Sequence, residues 1–133
     1  MTIGSCLCTK IRFEADSFAS DIYKCHCSRC RKTFGGASSA AVLTPEADFR
    51  WLAGAELRKS YKPSTSEYAT QFCSNCGSLV PIRIEDKALY WIPVGLFESD
   101  PGVPLSSHIH TASKAPWEVL DEHTEKFEEG FEF

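Results

Sequence analysis

Polar and apolar positions alternate along much of this chain, in short runs broken by turn residues. Lys10-Ile11-Arg12-Phe13-Glu14 has a strict period of two, the mark of a half-buried strand. Residues 57–62 repeat that pattern, and residues 67–72 follow it more loosely. Residues 79–84 alternate in their second half. Pro81 within that run predicts a sheet edge or a bulge, because proline has no N–H to give to a ladder. Residues 88–94 are β-branched and aromatic and predict a buried strand, and residues 38–44 are a further apolar candidate. Gly35-Gly36, Ala53-Gly54, Pro63-Ser64, Asn75-Cys76-Gly77 and Asp100-Pro101-Gly102 supply the turns between these runs. One short helix is predicted from Ser28 to Phe34, with Ser28 as its N-cap and Gly35 as its stop. The tail from residue 123 to 133 is acidic and carries Phe127, Phe131 and Phe133. It either docks by those aromatics or frays.

Size and charge narrow the picture. The 133 residues suit a single domain over 1–133, with the tail from about 123 mobile. A formal charge of -4 argues against a nucleic-acid partner, which wants a basic face. No apolar run approaches the ~18 residues of a membrane span. The start, Met1-Thr2-Ile3-Gly4-Ser5-Cys6, has neither the basic nor the apolar region of a signal peptide. A cytoplasmic location is therefore expected, where thiols stay reduced.

That location changes how the cysteines read. There are seven, an odd number, so disulfides cannot pair them all within one chain. They fall into Cys6-Leu7-Cys8, Cys25-His26-Cys27-Ser28-Arg29-Cys30 and Cys73-Ser74-Asn75-Cys76 followed by Gly77. Thiolates two or three residues apart can share one zinc ion at a Zn–S distance of about 2.3 Å. Cys73 to Gly77 has the form of a zinc knuckle, with Gly77 supplying a positive φ on leaving the turn. A knuckle gives two ligands and a closed site needs four. Cys6 and Cys8 can complete it, or Cys27 and Cys30 can, and spacing alone does not choose. The first partition leaves Cys25, Cys27 and Cys30 together. Three protein ligands with one open position are the pattern of a reactive zinc. A fourth side chain, such as His26, His108 or His110, would instead make that site a second structural one.

Gly4-Ser5-Cys6-Leu7-Cys8, Cys25-His26-Cys27-Ser28-Arg29-Cys30-Arg31-Lys32 and Phe72-Cys73-Ser74-Asn75-Cys76-Gly77-Ser78 resemble the glutathione-dependent formaldehyde-activating enzyme family, which shares its domain with centromere protein V. Pro93-Val94-Gly95, His108-Ile109 and Lys114-Ala115-Pro116-Trp117 follow in the matching order. The resemblance implies a mainly β, Mss4-like fold with little helix, stabilised by zinc. It also implies two zinc ions, one structural on Cys6, Cys8, Cys73 and Cys76, the other catalytic on Cys25, Cys27 and Cys30. The implied activity is that of a carbon–sulfur lyase joining a small-molecule thiol, glutathione, to an aldehyde, formaldehyde. The family often has histidine between the first two cysteines and glycine after the second; Leu7 and Thr9 stand there in this chain.

Some residues beside the clusters have two readings. Arg29, Arg31 and Lys32 either meet substrate carboxylates or form a solvated basic face. His26 relays a proton or points to solvent. His108 and His110, as H-x-H on a strand, would share one face, and packing is their expected role. Trp51, Trp91 and Trp117 are expected in the core. The competing functions are a zinc-stabilised binding module and a redox sensor working through Cys25, Cys27 and Cys30.

Overall fold

The computed structural model describes residues 1–130, so Phe131 and Phe133 lie outside the described residues. The fold is mainly β, and the described residues form three sheets and one α-helix. The first sheet joins β1 (Thr2–Ser5), β2 (Arg12–Ala15) and β5 (Phe49–Ala53), all antiparallel. The second has six strands in the order β12, β11, β3, β4, β10, β9. Their ranges are β3 (Ile22–Cys25), β4 (Ala41–Pro45), β9 (Ile82–Ile84), β10 (Leu89–Pro93), β11 (Leu105–Ile109) and β12 (Glu125–Lys126). β11 runs parallel to both β3 and β12, and the other pairs are antiparallel. The third sheet is β6 (Arg58–Tyr61), β7 (Thr70–Cys73) and β8 (Leu79–Val80).

Alternation along β4 and β10 explains the layering. Ala41 and Leu43 pack in one core cluster with Tyr23, Cys25, Cys30 and Ile109, and Trp91 lies against it. Val42 and Ile92 pack in a second cluster with Phe13, Ala15 and Phe49 from the first sheet. Successive side chains of a strand point to opposite faces. One face of the six-stranded sheet is therefore covered by β1, β2 and β5, and the other carries the three-cysteine segment. Aromatic stacking closes the covered face: Phe49 stacks on Tyr90 with centroids 3.8 Å apart, and Phe13 on Phe49 at 5.6 Å. A third, smaller cluster of Cys6, Ile11, Cys73 and Val80 joins the first sheet to the third.

Several expectations shift in detail. Pro81 splits the run at 79–84 into β8 and β9, which sit at the edges of two different sheets. β2 is not cleanly one-sided, because Glu14 is buried beside Phe13 and its carboxylate takes a 2.7 Å bond from Arg50 Nε. The helix, α1 (Ser28–Phe34), has the expected range, but its N-cap is Cys27, not Ser28. Cys27 is extended, and its Sγ accepts from the Cys30 N–H at 3.4 Å, doing the work usually done by a hydroxyl. Gly35 ends the helix at φ 66. The start of the tail docks: β12 lies beside β11, and Phe127 packs against the first core cluster.

Candidate metal centres

Two loops from distant parts of the chain build the first centre. Cys6 precedes a tight turn in which the Thr9 N–H donates to the Cys6 carbonyl at 3.0 Å and the Cys6 N–H donates to Ile11 at 3.1 Å. Cys73 ends β7, and its carbonyl accepts from the Gly77 N–H at 2.8 Å, with Gly77 at φ 80. Ser78 ties the loops together. Its hydroxyl accepts from the Leu7 N–H at 2.9 Å and lies 3.3 Å from Cys76 Sγ.

The four sulfurs of Cys6, Cys8, Cys73 and Cys76 lie within 4.8 Å of one another. Cys6–Cys8 is 3.5 Å and Cys8–Cys73 is 3.8 Å. A tetrahedron with Zn–S bonds of about 2.3 Å has edges of about 3.8 Å, so this spacing fits the ion. All seven cysteines are free thiols. Burial pushes the Cys6 thiol up to about 11. Burial also pushes Cys76 up, but hydrogen bonds from Ser78 outweigh it and bring that thiol down to about 5. A hydrogen bond from the Asn75 side chain likewise holds Cys8 below the ordinary thiol value.

The second centre lies where β3 runs into α1. Cys25 ends the strand, Cys27 caps the helix and Cys30 is one turn in. Their sulfurs also converge within 4.8 Å. Cys25 and Cys30 are buried and Cys27 is half-buried. Hydrogen bonds from the Cys25 and Cys30 thiols, then those from the Cys30 and Arg29 N–H groups, pull Cys27 far below the ordinary thiol range. The same sharing, first with Cys27 and then with Cys30, pushes Cys25 up. Among the described residues no His, Asp or Glu joins this trio. Both cysteine groups could therefore hold a metal ion, and thiol ligands at this spacing are consistent with zinc.

The histidines are placed elsewhere. His26 does not point to solvent: it is fully buried, and its Nε2 lies 2.8 Å from Nδ1 of His108. His108 is also buried, and its Nε2 lies 3.0 Å from Asp121 Oδ1. His110 does not share a strand face with His108, because β11 ends at Ile109 and His110 turns left-handed at φ 54. Trp51 and Trp91 pack against core clusters, whereas Trp117 is 68% exposed, against the expectation of a core position.

Tyr68 and Asp121 carry no signal in the sequence. Tyr68 stands in a polar loop, yet its hydroxyl lies 3.8 Å from Cys30 Sγ and 3.2 Å from Thr33 Oγ1. It also lines a cleft of about 800 Å³ with Tyr23, Gln71, Arg83 and Trp91. Tyr68 thus borders both the cleft and Cys30 of the three-thiol centre. No helix among the described residues is long and apolar enough to cross a membrane.

The family model described as "Glutathione-dependent formaldehyde-activating enzyme" matches residues 1–113. A Halomonas elongata protein named "Putative glutathione-dependent formaldehyde-activating enzyme" is 39% identical over 80 residues, covering 56% of this chain and 51% of that protein. The chain thus spans about half the length of this curated relative. A crystal structure of a Rhodobacter sphaeroides protein superposes with a TM-score of 0.60 at 25% identity, covering 74% of this chain and 91% of the other.

Proposed function

The chain belongs to the glutathione-dependent formaldehyde-activating enzyme family, and on that premise we propose that it is a zinc-dependent carbon–sulfur lyase joining a small thiol to an aldehyde. The thiol is glutathione or a relative of it, and the aldehyde is formaldehyde or a close analogue. The observation that carries this reading is the convergence of Cys25, Cys27 and Cys30 with no fourth ligand among the described residues. Four protein ligands close a structural zinc, whereas three leave a position for chemistry. Cys6, Cys8, Cys73 and Cys76 are in this reading the ligands of the structural ion. The free thiols suit a reducing compartment such as the cytoplasm.

A zinc ion on the three thiols would supply an open position and favour the thiolate of an incoming thiol. The chain's own residues supply place and orientation. The cleft at Tyr68 admits both reactants and holds them together, which removes the cost of a bimolecular encounter. The substrate sulfur forms a bond to the carbonyl carbon as the C=O π pair moves onto oxygen. The proton lost by the thiol ends on that oxygen, giving a hydroxymethyl thioether, and nothing is oxidised or reduced. Tyr68 places a hydroxyl donor beside this step. Arg29, Arg31 and Lys32 form no ion pair among the described residues and are available for substrate carboxylates.

Exchange NMR with ¹³C-formaldehyde and glutathione tests the reading, because the uncatalysed addition is itself fast. The zinc-loaded protein is expected to speed exchange between aldehyde and adduct, and Cys27→Ala to abolish the acceleration. A fully loaded wild-type protein that leaves exchange unchanged would make this a binding module.

A further inference from the structure

A chain of hydrogen bonds runs from the C-terminal segment to the residue between two of the three thiols. Asp121 is its outer end. Its Oδ2 accepts from the His123 N–H at 3.1 Å, the Thr124 N–H at 2.6 Å and the Thr124 hydroxyl at 2.5 Å. Its Oδ1 meets His108 Nε2 at 3.0 Å, and His108 Nδ1 meets His26 Nε2 at 2.8 Å. The last ring belongs to the residue flanked by Cys25 and Cys27. Backbone bonds lie alongside: the His26 N–H donates to Ile109 at 3.0 Å, next to His108 on β11.

Burial gives this chain its stiffness. His26 is 0% and His108 4% exposed. Swinging either ring away would leave ring nitrogens unpaired in the interior, which costs the full desolvation penalty of each orphaned group. His26 Nδ1 already lacks a well-formed hydrogen bond, so the Nε2 contact is the ring's good one. Asp121 in turn is fixed by three donors on the loop that follows it, a loop tied back by the pairing of β12 with β11. The match to the family model stops at residue 113, so Asp121 and Thr124 lie in a part of the chain that match does not reach.

We propose that Asp121 and His108 are positioning residues for the three-thiol centre: through His26 they hold the Cys25–Cys27 segment in the bend that brings both sulfurs onto Cys30. None of the three would touch ion or substrate. The inference rests on the reading of Cys25, Cys27 and Cys30 as ligands, and it adds that the C-terminal segment sets their affinity. Outer-sphere partners of metal ligands typically contribute 10–100-fold in affinity.

The test uses the full chain with Asp121→Ala, Asp121→Asn and Thr124→Val. Zinc affinity at each centre is read by competition with a chromophoric chelator, and geometry by the absorption spectrum of the cobalt-substituted protein. Asp121→Ala is expected to weaken the second ion about 10-fold or more and shift the cobalt bands, with the four-thiol ion unchanged. Asp121→Asn keeps a carbonyl acceptor for His108 and is expected to recover part of the loss. Thr124→Val removes one donor from an exposed loop without threatening the fold, and a smaller loss in the same direction is expected. Amide exchange at His26 in protein carrying only the four-thiol ion gives a readout independent of the second metal, and Asp121→Ala is expected to speed it. Unchanged affinity, spectrum and exchange would overturn the proposal. A wild type that binds a single ion, while Asp121→Ala still speeds exchange, would overturn the ligand reading and leave the anchor standing.

Discussion

Gly54→Ala offers a demanding check on how the four-thiol centre is supported. Gly54 follows β5 at φ 74, and an added Cβ would stand 2.0 Å from the Lys10 carbonyl oxygen and 3.0 Å from Ile11 Cα. Those atoms belong to the segment that returns to Cys6, since the Cys6 N–H donates to Ile11 and the Ile11 N–H approaches Cys6 Sγ at 3.4 Å. Nothing flexible can yield, because the obstacle is backbone. Two costs combine. A left-handed alanine costs about 1–2 kcal/mol over glycine, and forced overpacking adds about 1–3 kcal/mol. The total, about 2–5 kcal/mol, is a large part of the 5–15 kcal/mol typical of a domain. Gly35→Ala separates the costs: its φ is 66, but an added Cβ meets nothing within 4 Å. Both substitutions gain the same small amount by stiffening the unfolded chain. Denaturant titration of the zinc-loaded proteins should therefore rank Gly54→Ala clearly below Gly35→Ala. The four-thiol ion should also exchange faster in Gly54→Ala alone. Equal stability of the two variants would refute the close approach of Gly54 to residues 10 and 11 and the support it gives to Cys6.

Other substitutions probe the remaining parts of the account. Thr9 sits at φ 66, a strained place for a β-branched residue, so Thr9→Gly should stabilise by about 0.5–1 kcal/mol in the same titration. Cys73→Ala should remove the structural ion and most of the cooperative fold, seen as lost zinc and a flattened thermal transition, since structural zinc binding is folding free energy. Burial first, and then the neighbouring His108, hold His26 below its ordinary pKa. The unfolded chain therefore takes up a proton near pH 6.5 that the folded chain refuses, so stability is full above that pH and falls below it. Loaded His26→Gln should show a shallower loss of stability than wild type between pH 7.5 and 5.5.

The sequence carried the clusters better than the strands. Cysteines two or three residues apart announce a shared ion whatever the fold, period-two runs marked β2, β6, β7 and β9, and the β-branched and aromatic composition of residues 88–94 marked β10. β11 was expected only as a strand of unstated bounds carrying His108 and His110, because Ser107 and His108 break the apolar pattern, yet both are buried, and His108 is satisfied by His26 and Asp121. A buried polar residue is legible only once its partner is known, and His26 and His108 are 82 positions apart. β3 hid for a related reason: its four residues run straight into the cysteine motif, and its neighbours β4 and β11 come from later in the chain. The N-cap slipped by one residue because a thiol took the place that hydroxyl statistics gave to Ser28. Tyr68 was invisible because its contact with Cys30 crosses 38 positions and belongs to no local pattern.

The central claim is that two separate metal centres exist and that the three-thiol one is the working site. Zinc content per chain with thiol titration, on wild type and Cys27→Ala purified under reducing conditions, tests it most directly. The account predicts two ions in the wild type and one in a folded Cys27→Ala. One ion in the wild type, with three freely titrating thiols, would contradict it.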